Sequence, residues 1–257
     1  MARLRFGTFN LLYGRSVQTG VADEADLRSA AAALDADVLG LQEVDRSQPR
    51  SAKVDQAAVV ADELNAPWWR FVPMLTGIPP TWASAESLDD SAVSAHGVAL
   101  VSRLRVLHWD VRRFSPASVS LPLRVAGRRG LTRVPDQPRA AIAAVVVGPD
   151  GPFTVATAHL SFVPGRNAQQ LRAIVRWLAT MPSPRFLAGD LNLPGRVPGS
   201  LTGWVDLARA PTYPSWRPRV QWDHILSSGV GLGIVRAATS MRLPVSDHCA
   251  LVVDLQV

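Results

Sequence analysis

The stretch Phe186-Leu-Ala-Gly-Asp190-Leu-Asn192 joins an apolar run to a carboxylate and an amide at its end. The same arrangement occurs in four further segments: Phe6-Gly-Thr-Phe-Asn10, Val38-Leu-Gly-Leu-Gln-Glu43, Val155-Ala-Thr-Ala-His159 and Val245-Ser-Asp247-His248. A buried strand places its apolar part in the core and presents its C-terminal end at the edge of the sheet. Several such ends at one edge form a pocket lined with carboxylates, amides and imidazoles. The five segments therefore predict one shared site built from strand ends.

The residue types at these strand ends suit a hard divalent cation bound beside a phosphate. Mg²⁺ prefers oxygen ligands and usually takes one or two carboxylates together with waters and substrate oxygens. Glu43 and Asp247 supply carboxylates, and Asn10 adds an amide oxygen. Each motif alone has a structural explanation, such as a turn at Asp190-Leu-Asn192. Their joint occurrence across the chain favours a catalytic site.

The order of these motifs resembles that of one superfamily. The matching motifs are Thr-Phe-Asn10, Leu-Gln-Glu43, Thr-Ala-His159-Leu, Gly-Asp190-Leu-Asn192, Trp-Asp223-His-Ile-Leu and Ser-Asp247-His248. The set resembles the endonuclease/exonuclease/phosphatase superfamily, which has the deoxyribonuclease-I-like fold, over about residues 3–256. The stretch that begins at Thr212-Tyr-Pro resembles a poorly characterised, bacterial-type branch of it. The resemblance implies an α/β fold, a four-layer α/β sandwich of two mixed β-sheets packed face to face with flanking helices, as a single domain over residues 1–257.

The resemblance also implies a metal centre. Glu43 resembles the main metal-binding glutamate of the superfamily, Asn10 the asparagine beside it, and Asp247 a second acid at or near the metal. The expected cofactor is Mg²⁺, with Mn²⁺ as a substitute.

Five further residues resemble the groups that perform the chemistry. Asp190 resembles the aspartate that orients or deprotonates the attacking water. His159, Asn192 and His248 resemble the groups that contact the phosphate, and Asp223 the acid that holds the last histidine. An Asp–His pair fixes the imidazole tautomer and raises its pKa, so the ring can donate to phosphate as a cation. The implied reaction is in-line attack of water on a phosphate ester.

Other positions carry weaker signals. Arg139 resembles a family arginine at the start of a central strand and is a candidate substrate-binding residue, with a salt-bridged arginine at the sheet end as the alternative. Val98 stands where the family often has asparagine. His96 is expected to be an exposed loop histidine, His224 a packing residue and His108 a structural residue.

Composition limits the class of protein. The chain has 257 residues, of which 47% are hydrophobic, and a net charge of +6. The length suits one large globular domain, and the positive charge attracts phosphate esters, although a codon bias toward arginine explains it equally well. With Cys249 as the single cysteine, no disulfide within the chain is possible. No signal peptide and no apolar stretch of transmembrane length is seen, and a cytoplasmic monomer is expected.

Periodicity predicts alternating helices and strands. Helices are expected at residues 22–34, 51–64 (with Ser51 as N-cap) and 167–179. Strands are expected at 3–10, 37–42, 97–102, 106–111, 140–147, 153–158, 185–189, 222–226, 230–237 and 249–255. Two long loops are expected at 75–95 and 115–138.

Three functions remain open at this level. The first is a phosphodiesterase or phosphatase acting on a small molecule, lipid or sugar. The second is a DNA or RNA nuclease, in which the basic loop 124–139 and the aromatic residues Trp204, Tyr213, Trp216 and Trp222 contact nucleic acid. The third is an inactive binding module, which the retained site residues disfavour. A continuous basic groove would favour nucleic acid, and an enclosed cleft a small substrate.

Overall fold

The computed structural model describes residues 3–85, 93–123 and 130–256. The helices are α1 (Glu24–Leu34), α2 (Gln56–Glu63), α3 (Arg166–Leu178) and α4 (Val197–Thr202). The strands are β1 (Arg3–Asn10), β2 (Val38–Arg46), β3 (Trp68–Thr76), β4 (Ala83–Ser84), β5 (Ala95–Ser102), β6 (Val106–Phe114), β7 (Ser120–Leu123), β8 (Thr132–Pro135), β9 (Arg139–Gly148), β10 (Gly151–His159), β11 (Arg185–Asp190), β12 (Val205–Asp206), β13 (Asp223–Ser228), β14 (Val235–Met241) and β15 (Ala250–Gln256). Short 3₁₀ turns lie at Leu12–Gly14, Pro49–Ser51 and Leu232–Ile234.

Two large mixed sheets form the centre of the protein. The first has the strand order β14-β15-β1-β2-β5-β3-β4, and the second the order β12-β13-β11-β10-β9-β6. Strands β7 and β8 form a separate hairpin. Each large sheet contains one parallel pair, β1 with β2 and β10 with β11. All the other pairings in both sheets are antiparallel within the described residues.

Buried apolar side chains join the layers. Between the sheets, Phe6 stacks on Phe186 with ring centroids 4.8 Å apart, and Phe153 packs edge-on against Phe186. A second apolar cluster lies between the first sheet and helices α1 and α2, and a third between the second sheet and α3. Full burial of one such large side chain stabilises the fold by about 2 kcal/mol. The four-layer α/β sandwich predicted from the sequence is confirmed.

The two parallel pairs explain where the site lies. In the first sheet the register pairs Asn10 with Gln42 at the ends of β1 and β2. In the second sheet it pairs His159 with Asp190 at the ends of β10 and β11. Strand β13 runs antiparallel to β11, so Asp223, its first residue, lies beside Asp190. Because β15 runs antiparallel to β1, the residues just before it reach the same edge.

A polar bridge ties the two sheets together behind this edge. The amide nitrogen of Gln42 donates to the hydroxyl of Thr157 at 2.9 Å, and its amide oxygen accepts from Thr8 at 3.2 Å. Gly40 allows the sheets this close approach, because a Cβ there would lie 2.5 Å from Thr157 Oγ1. Buried polar groups are costly unless they are paired. The side chains of Thr8, Gln42 and Thr157 are paired through these hydrogen bonds.

Some sequence-based boundaries differ from the structure. The helix expected at 51–64 begins at Gln56, because the Asp55 side chain accepts from the Ala58 N–H and caps it, while Ser51 ends a 3₁₀ turn. The helix expected at 22–34 begins at Glu24, capped by Asp23. The strand expected at 230–237 begins at Val235 after a 3₁₀ turn. Capping residues determine where a helix begins, and the spacing of apolar residues along the sequence does not locate that position.

The two expected loops contain regular structure. Strand β3 ends inside the first at Thr76, and the short β4 pairs with it. The hairpin of β7 and β8 occupies part of the second. Residues 86–92 and 124–129 lie outside the described residues, and the second of these ranges is part of the predicted basic loop. Within the part of the chain that the structure describes, no helix is both long enough and apolar enough to span a membrane.

Candidate active site

A bulge in β2 turns Glu43 into the site. The register between β2 and β5 shifts between Leu41 and Val44, and Glu43 has a positive φ of 52°. A bulge re-aims a side chain that a regular strand would direct elsewhere. The amide nitrogen of Asn10 donates to Glu43 Oε1 at 3.3 Å, and the amide oxygen accepts from the Leu12 N–H at 3.1 Å. The structure thus brings two of the three predicted metal ligands together.

Asp190 lies at the centre of the site and is 3% exposed. Its Oδ2 accepts from the Asn10 amide at 3.0 Å and lies 3.7 Å from His159 Nε2 and 3.8 Å from His248 Nε2. Burial, together with the nearby charge of Asp223, raises the pKa of Asp190 to about 6, against the opposing effects of the charge on His248 and the hydrogen bond from Asn10. At neutral pH Asp190 is therefore a carboxylate with an increased affinity for a proton.

The turn after β11 is tied to the end of β10. The Asn192 N–H donates to Asp190 Oδ1 at 3.1 Å, and the Asn192 side chain donates to the Leu160 carbonyl at 2.9 Å. Asn192 has a positive φ of 49°, a conformation that asparagine tolerates better than most residues. Asn167 of α3 donates to the Asn192 carbonyl at 2.8 Å. The orientation of this loop is therefore fixed by both the sheet and the helix.

His248 and Asp223 form a buried ion pair. His248 Nδ1 lies 2.8 Å from Asp223 Oδ2, and the Asp223 side chain is fully buried. Burial disfavours the charged ring, but the charge of Asp223, its hydrogen bond, and the charges of Asp190 and Asp247 raise the pKa of His248 to about 10. The imidazole is therefore a cation at neutral pH, and its Nε2–H is available as a donor.

His159 has the opposite electrostatics. Burial, with the positive charges of Arg139, His96 and His248, holds the pKa of His159 well below its ordinary value. Its Nδ1 is buried and has no hydrogen-bond partner among the described residues. Two histidines on either side of Asp190 thus have different protonation states at neutral pH.

Arg139 begins β9 at the same edge and is 4% exposed. Burial lowers its pKa, and the negative charges of Asp136, Glu43 and Asp190 oppose that change. Its guanidinium carbon lies 5.8 Å from the ring of Phe162. The side chain is therefore a cation near the site carboxylates, in agreement with its predicted position.

The loop before β15 holds Asp247 and His248. Ser246 donates from Oγ to the Asn10 carbonyl at 2.5 Å and accepts from the His248 N–H at 3.0 Å. The Asp247 carbonyl accepts from the Ser215 N–H at 2.6 Å. Burial and the charge of Glu43 raise the pKa of Asp247, while the charge of His248 opposes this. All nine predicted site residues therefore lie around one edge of the sandwich.

Two side chains have contacts that were not predicted, namely Tyr213, expected only as an aromatic contact to nucleic acid, and His96. The ring of Tyr213 lies 5.0 Å from that of His248, and burial together with the charges of Asp247, Asp190 and Glu43 raises its pKa. His96 is 6% exposed and lies in β5, so its expected place in an exposed loop is wrong. The short distance between His96 Nδ1 and Asp45 Oδ1, 2.7 Å, explains its burial. His224 is fully buried and contacts the Leu193 carbonyl, as expected of a packing residue.

The donor set fits a hard divalent cation. Glu43 and Asp247 place two carboxylates at one end of the site, and after burial the charge of Glu43 contributes to the raised pKa of Asp247. Oxygen donors of this kind suit Mg²⁺ or Mn²⁺. Another possible ligand group is Asp190, Asp223 and His248, whose ligand atoms lie within 4.8 Å of one another. Within that group, the 2.8 Å contact between His248 Nδ1 and Asp223 Oδ2 is that of an acid–imidazole pair.

A sequence model of the endonuclease/exonuclease/phosphatase family matches residues 7–248. The chain belongs to the Endonuclease/Exonuclease/phosphatase family. The members of this family are mostly hydrolytic enzymes that act on phosphate esters, and they generally depend on a divalent metal. No curated protein matches the chain.

Solved structures share the fold at low sequence identity. An endonuclease/exonuclease/phosphatase from Beutenbergia cavernae is 22% identical with a TM-score of 0.67, over 100% of this chain and 72% of that one. A mannosyl-6-phosphatase from Bacteroides thetaiotaomicron is 14% identical with a TM-score of 0.58, over 99% and 100%. TDP2 from D. rerio, solved with a single-strand DNA product, is 14% identical with a TM-score of 0.60, over 100% of both chains. These likenesses establish the fold alone.

Proposed function

We propose that this protein hydrolyses a phosphate ester of a small molecule, lipid or sugar, as a phosphodiesterase or phosphatase that depends on Mg²⁺ or Mn²⁺. The observation that carries the proposal is the position of Asp190, a buried carboxylate that lies 3.7 Å from His159 Nε2 and 3.8 Å from His248 Nε2. Burial of a carboxylate is costly to the fold unless the group is paired. The family supplies the reaction class, and these residues supply the chemistry.

Glu43 and Asp247 are the proposed metal ligands, with Asn10 beside them. They would hold a divalent cation, which would supply neutralisation of the charge on the phosphoryl oxygens and the leaving group. The Asn10 amide donates to both Glu43 and Asp190. It therefore holds the metal-binding end of the site in register with the water-activating end.

Asp190 is the proposed group that orients the attacking water. Its carboxylate, with a pKa of about 6, accepts a hydrogen bond from water and takes up the proton as the new bond to phosphorus forms. The Asn192 N–H holds Oδ1 at 3.1 Å, so the carboxylate keeps one orientation. Phosphoryl transfer depends mainly on such positioning.

His248, His159 and Asn192 are the proposed phosphate contacts. The cationic ring of His248 donates from Nε2 to a phosphoryl oxygen, where negative charge increases in the transition state. Asp223 holds its other nitrogen at 2.8 Å and maintains the charge. His159 is neutral and donates a single hydrogen bond. Arg139 is proposed to add positive charge behind these groups.

A nuclease is the alternative function. The loop after Tyr213 exposes 54% of Trp216, followed by the exposed Arg217 and Arg219. An exposed aromatic ring beside basic side chains can stack a base and contact a backbone. Of the other predicted aromatic contacts, Trp204 packs against the core under α3. The alternative therefore depends mainly on Trp216.

We propose that the protein acts as a monomer in the cytoplasm.

The test is a phosphoesterase panel with Mg²⁺, Mn²⁺ or EDTA. It includes bis-p-nitrophenyl phosphate, sugar phosphates, inositol phosphates, sphingomyelin, plasmid DNA and an abasic oligonucleotide. We expect metal-dependent hydrolysis of at least one small ester, abolished by EDTA. Turnover of the DNA substrates alone would favour the nuclease. No turnover of any substrate with either metal would contradict the proposal.

A further inference from the structure

A second polar cluster lies beside the proposed metal end of the site. Asp45 is fully buried, two residues after Glu43. Its carboxylate accepts from Arg50 Nε and Nη2, both at 2.7 Å, and from Ser51 Oγ at 3.1 Å. His96 Nδ1 lies 2.7 Å from Asp45 Oδ1. The carboxylate is therefore saturated, and the groups around it are rigidly held.

The guanidinium of Arg50 lies over two aromatic rings. Its guanidinium carbon lies 4.1 Å from the ring centroid of Tyr13 and 5.0 Å from that of Trp82. Trp82 also contacts the edge of His96, with ring centroids 5.3 Å apart. Stacking and the bidentate pair together fix the guanidinium plane before any ligand binds. Even so, 31% of the Arg50 side chain remains exposed.

One edge of this assembly is unused. The contacts with Asp45 occupy Nε and Nη2 of Arg50, and Nη2 also lies 3.1 Å from His96 Nδ1. Nη1 has no hydrogen-bond partner among the described residues. The 2.7 Å contact assigns the Nδ1–H of His96 to Asp45, so His96 helps to position Asp45 and Arg50. Trp82 Nε1 also has no partner in the described part of the chain. Donors that are fixed in place but unpaired are what an anionic ligand group requires.

The cluster adjoins the catalytic edge through three separate elements. Tyr13 follows Asn10 by three residues, in the turn whose Leu12 N–H holds the Asn10 amide. Asp45 follows Glu43 across the bulge in β2. The positive charge of His96 contributes to the lowered pKa of His159. The cluster thus borders the metal end and the phosphate end of the site.

We infer that Arg50, positioned by Asp45, by His96 and by the rings of Tyr13 and Trp82, forms a second anion-binding subsite next to the scissile phosphate. This inference rests on the proposed function and makes it more specific. The substrate would carry a second phosphate beside the one that is hydrolysed. Arg50 contacts that group through its free Nη1, and the positive charge of the guanidinium strengthens the hydrogen bond.

The test is calorimetric binding of fructose 1,6-bisphosphate and fructose 6-phosphate in the presence of Mg²⁺, which needs no turnover. We expect the wild type to bind the bisphosphate at least about ten-fold more tightly than the monophosphate, as a charge-assisted contact allows. Arg50→Lys keeps a cation against Asp45 but removes the planar guanidinium and its Nη1. His96→Asn keeps a donor near the Nδ1 position but removes the ring that packs against Trp82, and so loosens the positioning of Arg50. Each is expected to reduce the preference to about three-fold or less.

Arg28→Ala is the matched control. Arg28 pairs with Glu24, Asp62 and Glu63 on the helical outer layer, so the variant removes the same charge away from the site. It should keep the full preference. An equal affinity of the wild type for the two ligands would overturn the inference, as would a preference that survives in both Arg50→Lys and His96→Asn. A similar loss of affinity for both ligands in these variants would show that Arg50 and His96 support the position of Glu43 and do not form a subsite for the second phosphate. Absence of turnover in the phosphoesterase panel would refute the proposed function. The binding comparison measures affinity and not turnover, so its outcome is separate from that of the panel.

Discussion

At Asp190 a carboxylate is surrounded by groups that both oppose and favour its charge. It lies next to Asp223 through strand pairing and within 4 Å of two imidazoles. The Asn10 amide and the Asn192 N–H hold both of its oxygens. A substitution here therefore changes chemistry more than packing.

Asp190→Ala and His248→Ala should each reduce kcat by about a thousand-fold or more, because each removes a group that acts in the transition state. Far-ultraviolet circular dichroism should show that both variants fold. The measurement is initial rate on the best ester from the panel. Wild-type rates in either folded variant would eliminate the proposed mechanism.

Asp223→Asn should reduce kcat by about 10- to 100-fold with little change in KM. The amide can still contact His248 Nδ1, but it lacks the charge that keeps the ring cationic. His224→Gln, at the next residue, is the control, because His224 contacts Leu193 and lies outside the proposed chemistry. Equal losses in both variants would point to general damage to β13.

At the scale of elements, the close approach of β10 and β11 depends on Gly189. A Cβ at this position would lie 2.0 Å from the Ala158 carbonyl oxygen. Gly189→Ala should therefore lower the midpoint of thermal unfolding by at least about 5 °C, or prevent folding. Gly233→Ala is the control, because nothing lies within 4 Å of its added Cβ. A Gly189→Ala protein as stable as the control would contradict the observed strand spacing.

The pairing of β1 with β15 carries a charge network with a definite pH dependence. Asp254 receives Arg5 at 2.8 Å and Arg3 at 2.7 Å, and the hydrogen bond from Arg5, followed by that from Arg3 and both charges, lowers its pKa despite partial burial. A depressed folded-state pKa stabilises the protein above the unfolded pKa of Asp, and this contribution is lost as the pH falls.

Asp254→Asn should therefore be less stable than the wild type by about 1 kcal/mol at pH 7. The difference should shrink as the pH falls below about 4, where the wild-type carboxyl becomes protonated. Urea unfolding at a series of pH values measures this. A difference that stayed constant down to pH 3 would show that the effect does not come from the carboxylate charge.

Strand ends were predictable from sequence because the apolar runs are continuous and end in polar residues. The segments that end at Asn10, His159 and Asp190 form strands with those ends. The bulge at Glu43 was not predictable, because a bulge does not change the pattern of apolar residues in the sequence. The contacts of Tyr213 and His96 were missed because each depends on packing between distant segments.

At the scale of the whole molecule, the site combines both sheets and one loop. Asn10 and Glu43 come from the first sheet, His159 and Asp190 from the second, and His248 from the loop before β15. Such a site forms only when the sandwich is complete. Metal binding should therefore be coupled to global stability.

Mg²⁺ or Mn²⁺ should raise the midpoint of thermal unfolding of the wild type by a few degrees, and EDTA should reverse the effect. Glu43→Gln should lose most of the increase, because an amide is a weaker ligand than a carboxylate. Differential scanning fluorimetry with and without metal measures both. An equal increase in the Glu43→Gln protein would exclude Glu43 as a ligand.

The contact between Gly40 and Thr157 has a consequence for enzyme evolution and engineering. Since both sheets contribute reacting groups, the gap between the sheets sets the alignment of the reaction centre. A methyl group added at Gly40 would push the two sheets apart beneath the site. The reacting groups of one sheet would then be displaced relative to those of the other, although none of these groups would be altered. The catalytic rate would then depend on the spacing of the two sheets. Substitutions in the core that change this spacing would change turnover without replacing any residue of the site.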